Sequence, residues 1–279
     1  MIVCLAASVI KNFSADDYVV GVTLVDDELF VLLERDDNQV CVYSINDYQQ
    51  RRHLNVPRYK TDSFSRRYRP DYYSDMTSCV RHKCLYMSDY DNSCIHRYEL
   101  ASSATSKWSV PGKPVGLSVT PSGNLLVTCH EPNKLVELSV DSGESVREIA
   151  LQADIERPLH SVQLTTGQFV VCHGVGYGGL HRVCVVGDDG KVTRSYGGER
   201  GSGVGQLSYP CHLAVDRDSQ FIFVADWGNG RVVLLSPTLE FVRYVIEGML
   251  YPLRIYFHQA KRRLFVSQRN HRDVTVIQL

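Results

Sequence analysis

The sequence predicts an all-β fold, a six-bladed β-propeller of four-stranded antiparallel blades. Three observations predict it. Short apolar segments recur in fixed order along the 279 residues. Their spacing averages about 47 residues, inside the range of propellers and repeat arrays. The first thirteen residues remain as a spare strand, and the last unit lacks one.

Each unit opens on a first segment: Val22-Thr23-Leu24, Gly116-Leu117-Ser118-Val119, Ser161-Val162-Gln163-Leu164, Leu213-Ala214-Val215, Ile255-Tyr256-Phe257. A second segment follows a polar turn, as in Leu29-Phe30-Val31, Cys84-Leu85-Tyr86, Leu125-Leu126-Val127 and Phe169-Val170-Val171. A third segment begins at positions 40, 95, 135, 183, 232 and 274. All are short and rich in β-branched and aromatic residues, and turn formers such as Pro121-Ser122-Gly123 and Thr165-Thr166-Gly167 separate them. That pattern belongs to strands and hairpins. A fourth, less apolar strand closes most units, as at 145–149, 191–196 and 241–246, where an outer position meets water. The last unit stops after its third strand, so residues 1–13 are expected to complete it and remove an open sheet edge. The whole chain, 1–279, then reads as one domain and, in isolation, a monomer.

Composition narrows the function. The chain is 44% hydrophobic and 22% charged, enough to bury a core. Its formal net charge of −1 excludes a globally basic nucleic-acid binder. No apolar run approaches the roughly 18 residues of a membrane span. The apolar start has no cation before it and reads as a strand rather than a leader. Nine Cys, mostly inside apolar runs (Cys4, Cys41, Cys129, Cys172, Cys184), point to buried reduced thiols and a cytoplasmic setting.

One unit is distinctive. Gly203, Gly205 and Tyr209-Pro210 lead into Leu213-Ala214-Val215-Asp216, then Ile222-Phe223-Val224-Ala225-Asp226, then Asn229-Gly230-Arg231-Val232. This resembles an NHL repeat. Asn133-Lys134-Leu135, Asn38-Gln39-Val40 and His181-Arg182-Val183 match it in part. The whole resembles the C-terminal propeller of tripartite-motif (TRIM) NHL proteins. The resemblance implies a binding face at the first-strand starts, and a ubiquitylation substrate or an mRNA element as partner. The chain carries no RING, B-box or coiled coil, so ligase activity would have to come from another module.

Four features carry candidate chemistry. Pro158-Leu159-His160, Pro210-Cys211-His212 and Pro252-Leu253-Arg254 recur at first-strand starts. Repeat symmetry puts His160, His212 and Arg254 in one ring near the channel mouth, as donors for phosphate, acidic peptide or RNA or as plainly solvated residues. Second-strand ends give another ring: Glu34, Asp89, His130, His173, Asp226 and Gln268. Its histidines, with His160 and His212, define the rival reading, a metal-dependent propeller enzyme of amidating-lyase or lactonase type. Against that stands the ordinary role of polar strand caps.

Residues 51–69 hold seven Arg or Lys (Arg51, Arg52, Arg58, Lys60, Arg66, Arg67, Arg69) against one acid, Asp62, with Tyr59, Phe64 and Tyr68 interleaved. Cations alternating with rings suit single-stranded RNA, and equally an acidic protein or a solvated inter-blade loop. Trp227, in the turn Asp226-Trp227-Gly228-Asn229-Gly230, is an interaction anchor or a packing residue between blades.

The glycine-rich stretches at 174–179 and 197–201 open no helix and are not phosphate loops. No nucleophile elbow appears. The expectation is a non-catalytic platform, without metal or cofactor, for a protein partner or single-stranded RNA. Its contacts would be Arg52, Arg58, Lys60, Arg66, Arg67, Arg69, His160, His212, Trp227 and Arg254.

Overall fold

A computed structural model of the chain describes residues 7–34, 39–56, 75–174, 179–269 and 271–279. Its strands form six four-stranded antiparallel sheets. One strand, β1 (Ser8–Ser14), stands apart from its neighbours in sequence. Blade 1 holds β2 (Val19–Val25), β3 (Glu28–Leu33), β4 (Gln39–Ser44) and β5 (Gln50–Asn55). Blade 2 holds β6 (Met76–Cys79), β7 (Cys84–Asp89), β8 (Cys94–Glu99) and β9 (Thr105–Ser109). Blade 3 holds β10 (Pro114–Val119), β11 (Leu125–Cys129), β12 (Lys134–Leu138) and β13 (Ser145–Ala150). Blade 4 holds β14 (Pro158–Gln163), β15 (Phe169–His173), β16 (His181–Val186) and β17 (Val192–Gly198). Blade 5 holds β18 (Pro210–Val215), β19 (Ile222–Asp226), β20 (Arg231–Leu235) and β21 (Phe241–Ile246). Blade 6 holds β22 (Pro252–His258), β23 (Arg263–Gln268) and β24 (Asp273–Gln278), and β1 pairs with β24.

Burial follows position in the blade. Every residue of β7 and of β15 is buried, because both faces of those strands pack on neighbouring blades. The outer strands β9 and β13 are mostly exposed, which explains their weak apolar signal. The core accordingly divides into clusters between successive blades, such as Val31, Tyr43, Phe265 and Val276 across blades 1 and 6.

Blade 1 corrects one expectation. Residues Arg51 to Asn55 were expected in a basic loop, but they belong to the outer strand β5. Only Leu54 of that stretch is partly apolar and packed, so the sequence carries little strand pattern there.

Antiparallel order gives the disc two unlike faces. The crossover face carries the turns between second and third strands and the connections between blades. The hairpin face carries the turns after the first and third strands. Ser8 lies opposite Gln278 and Ser14 opposite Asp273, so the amino-terminal strand closes the ring. Phe13 then packs on Tyr43 and Tyr48 of blade 1, with ring centroids 4.9 and 5.8 Å away. No helix among the described residues is long and apolar enough to cross a membrane. The eight described cysteines are buried and unbridged.

The innermost strands of neighbouring blades approach closely at two glycines. A Cβ on Gly116 would lie 2.5 Å from the Leu159 carbonyl oxygen and 2.8 Å from the His160 Cα. One on Gly21 would lie 2.8 Å from the Met76 Cβ. We expect Gly116→Ala to force blades 3 and 4 apart and cost about 1–3 kcal/mol, the usual penalty of overpacking. Urea unfolding measures this, and an unchanged midpoint would contradict the close approach.

Candidate functional site

Each innermost strand contributes one residue at the same level of the channel. Gly21 pairs with Leu32, Gly116 with Thr128, His160 with Cys172 and His212 with Ala225. Arg254 donates its backbone N–H to Ser267 Oγ. The blade 2 member is Asp75, whose carbonyl accepts from Ser88 N–H at 3.0 Å. Proline stiffens the start of the strand in blades 3 to 6, but blade 2 begins Asp75-Met76, which is why sequence reasoning missed Asp75.

These residues form one buried cluster. Asp75 is 1% exposed, His160 2%, Arg254 3% and His212 7%. Arg254 Nε lies 3.1 Å and His212 Nε2 3.4 Å from Asp75 Oδ1. Asp75 Oδ2 accepts the Leu117 N–H at 2.8 Å, and His160 Nε2 lies 3.6 Å away. His160 Nε2 instead donates to the Leu117 carbonyl at 3.0 Å, and its ring stacks on His212 at 3.7 Å. Arg254 Nε also donates to the Val20 carbonyl, in blade 1, at 3.1 Å. The expectation of His160, His212 and Arg254 as a ring of accessible donors is therefore overturned. They do share one ring, but it is closed around a carboxylate the sequence reading did not include.

The charges balance. Burial alone would raise the Asp75 carboxyl, but Arg254, His212 and His160 outweigh it and hold it well below the ordinary carboxylate range. Burial pushes His160 far below the usual imidazole value, and His212 sits below it too. One anion thus faces one guanidinium, with two neutral rings alongside.

Below this cluster, a cavity of about 530 Å³ opens on the hairpin face. His160 and His212 line it, whereas Asp75 and Arg254 do not. Its mouth is braced between blades. Thr165 N–H donates to Gln220 Oε1 at 2.8 Å, and Arg217 N–H to Gln259 Oε1 at 3.1 Å.

The second-strand ends do not converge on the channel. Asp226 accepts from Ser208 N–H, Asn229 Nδ2 and Arg231 Nε at 2.7 to 2.8 Å. Burial raises its carboxyl, and those donors offset only part of that. Asp89 accepts from Asn92 and His96, and His173 accepts from Arg182 Nε at 2.9 Å. Gln268 Oε1 takes the Leu250 N–H at 2.9 Å. These residues brace turns within or next to their own blades.

The rival metal reading loses its donor set. His130 and His173 do not join His160 and His212. Asp75, His160 and His212 do lie within 4.8 Å of one another. However, the guanidinium of Arg254 is already at the carboxylate, so a divalent cation does not fit there.

The crossover face of blades 4 to 6 carries the aromatic residues. Trp227 begins a short 3-10 turn closed by Gly230, which takes a left-handed φ of 63°. Tyr251 stacks on Trp227 at 4.7 Å, and Tyr209 meets it edge-on at 5.7 Å. Arg200 lies over Tyr209 and Arg269 over Trp227. Tyr209 and Tyr251 each precede a strand-opening proline and adopt left-handed backbone, φ 53° and 55°. Neighbouring residues hold both kinks, since Tyr209 N–H donates to His181 Nδ1 at 3.0 Å and the Tyr251 carbonyl accepts from Arg269 N–H at 2.9 Å. In the turns of the same face, Leu180, Val204, Leu250 and Tyr251 are 38%, 68%, 53% and 45% exposed. Of the residues expected to make contacts, Trp227 is the one found here. It packs on Tyr209 and Tyr251, as its reading as a packing residue between blades expected.

Arg52 is not on this face. It lies on the outer strand of blade 1 and donates to both carboxylate oxygens of Glu28. Arg58, Lys60, Arg66, Arg67 and Arg69 lie outside the described residues.

No family model matches the sequence, and no curated protein does either. Solved structures do. Virginiamycin B lyase from Staphylococcus aureus superposes with a TM-score of 0.65 at 11% identity, over 98% of this chain and 99% of that one. A Bacteroides thetaiotaomicron protein of unknown function gives 0.70 at 14%, over 98% and 75%. U3-55K gives 0.66 at 12%, over 98% of both chains. Identities this low show a shared propeller fold alone.

Two outcomes test the channel cluster. Asp75→Asn leaves Arg254 buried without its anion and should cost about 3–5 kcal/mol, with Arg254→Met restoring part of it. A loss under about 1 kcal/mol in urea unfolding would remove the ion pair from any structural role. Burial also holds His160, His173 and His212 below the ordinary imidazole value, His173 at about 4. The unfolded chain binds protons that the folded chain refuses, so stability is full above pH about 6.5 and falls as pH drops below it. Each such histidine contributes a slope of up to about 1.4 kcal/mol per pH unit. A stability profile flat between pH 7 and 5 would contradict the assignment.

Proposed function

We propose that this propeller is a non-catalytic platform that docks a protein partner on the crossover face of blades 4 to 6. One observation carries the reading. Four large apolar side chains, Leu180, Val204, Leu250 and Tyr251, stand exposed in turns of a single face, and Tyr251 stacks on the half-buried Trp227. Scattered apolar residues are ordinary on a surface, but four in the turns of one face that also displays stacked Trp and Tyr rings have the composition of a docking site.

Two further features support it. Left-handed backbone at Tyr209 and Tyr251, a bend that Arg157 repeats before Pro158 in blade 4, accompanies the packing of both rings on Trp227. The neighbouring turns pin those residues in place, so little entropy is lost on binding. Aliphatic side chains beside the rings suit a protein surface better than nucleotide bases. Arg200 and Arg269 at the edge would favour an acidic rim on the partner. The likeness of residues 203–232 to an NHL repeat agrees with this reading. RNA recognition would rest mainly on the cations between Arg58 and Arg69.

Capture of partners on the immobilised propeller tests the proposal. Leu250→Glu and Tyr251→Gly should each weaken capture about tenfold or more, a loss of about 1.4 kcal/mol. Glycine suits the left-handed backbone, so Tyr251→Gly should keep its melting temperature. Equal capture by both variants would overturn the patch, and capture abolished by ribonuclease would transfer the function to RNA.

A further inference from the structure

The hairpin face holds a second, chemically different feature. Its cavity of about 530 Å³ matches the size of small-molecule sites. Its walls are mainly aliphatic, and no Asp or Glu lines it. Arg81 and Arg217 do, and both are exposed residues of the first turns, in blades 2 and 5. Arg217 reaches across to donate to the Val119 carbonyl, in blade 3, at 3.3 Å. Neither guanidinium has a carboxylate partner among the described ion pairs. The nearby Asp216 carboxylate is already bound by Arg262 and Gln259.

The inner end of the wall adds no charge. His160 Nδ1, Ser118 Oγ and His258 Nδ1 are each buried with no hydrogen-bond partner among the described residues, and all three residues line this cavity. His160 itself is 2% exposed. Its Nε2 donates to Leu117, so its Nδ1 carries a bare lone pair, and burial keeps the ring neutral. These atoms are shut off from the cavity space itself, so the inner wall offers a ligand neutral contact surface rather than hydrogen bonds.

We propose that this cavity binds a small organic anion with an apolar body, its carboxylate- or sulfonate-type head at Arg81 and Arg217 and its body against the apolar and imidazole walls. Guanidinium groups at the mouth pair with a planar or tetrahedral oxyanion, and the neutral imidazoles at the inner end meet an apolar body without adding charge. Carboxylates would have opposed such a ligand, and the lining has none. The site lies on the face opposite the proposed docking patch and does not depend on it.

Titration of the full chain with 8-anilinonaphthalene-1-sulfonate tests this, because the probe has an apolar body and one sulfonate, and fluoresces when it leaves water. We expect one saturable site. N-phenyl-1-naphthylamine, the same body without the sulfonate, should bind at least tenfold more weakly. Combined Arg81→Glu and Arg217→Glu should weaken the anionic probe at least tenfold, and Ser118→Phe should abolish binding by filling the cavity. If Ser118→Phe fails to fold, the exposed arginines still decide the matter. Leu250→Glu should leave the titration unchanged, which separates this site from the docking patch. Equal binding of the neutral probe, indifference to the arginine reversals, or no saturable binding would each overturn the proposal.

Discussion

The Asp75 carboxylate sits where all six blades meet, and its burial sets the terms for the centre of the disc. It takes a backbone N–H from blade 3, lies against imidazoles from blades 4 and 5 and a guanidinium from blade 6, and is linked through Arg254 to a carbonyl of blade 1. An anion removed from water needs opposite charge and donors, or it protonates or the structure opens. The ring supplies them from different blades, so the ion pair is satisfied only when those blades are in register. Glycine at 21 and 116, in the blades on either side of Asp75, lets the flanking strands come close. Six similar repeats are thus joined through six positions that are not alike.

The two faces inherit different chemistry from this arrangement. Toward the hairpin face, neutral imidazoles and aliphatic walls leave a dry-walled space edged with cations. Toward the crossover face, display passes to the turns of blades 4 to 6, while the Asp75–Arg254 pair stays buried. There the second-strand ends matter indirectly. Asp226 fixes Asn229 and Arg231, and Gln268 fixes Leu250, so the rings of Trp227 and Tyr251 rest on bonded turns.

Much of the fold was legible because burial on both sides of a blade writes unbroken apolar runs into the inner three strands. Outer strands such as β5 were not, since a strand packed on one side tolerates Arg51-Arg52-His53. The site was legible in part. The Pro-x-x spacing correctly put His160, His212 and Arg254 at one level of the channel, yet it carried no sign of their burial. That depends on Asp75, which arrives from a blade whose first strand lacks the proline. Trp227 was visible as a turn tip. Leu250 and Tyr251 were not, because a Leu-Tyr pair before a proline looks the same whether it turns inward or stands in solvent.

The seam between β1 and β24 has a consequence for the order of assembly. Ser8 is made long before its partner Gln278. During synthesis the opening strand must wait while the blades between are built, and blade 1 presents an apolar flank with nothing against it. Such a pairing between residues far apart in sequence makes closure the slow step of folding. A chain stalled before that point would be an open, sticky arc, which makes the nascent protein a natural client for chaperones.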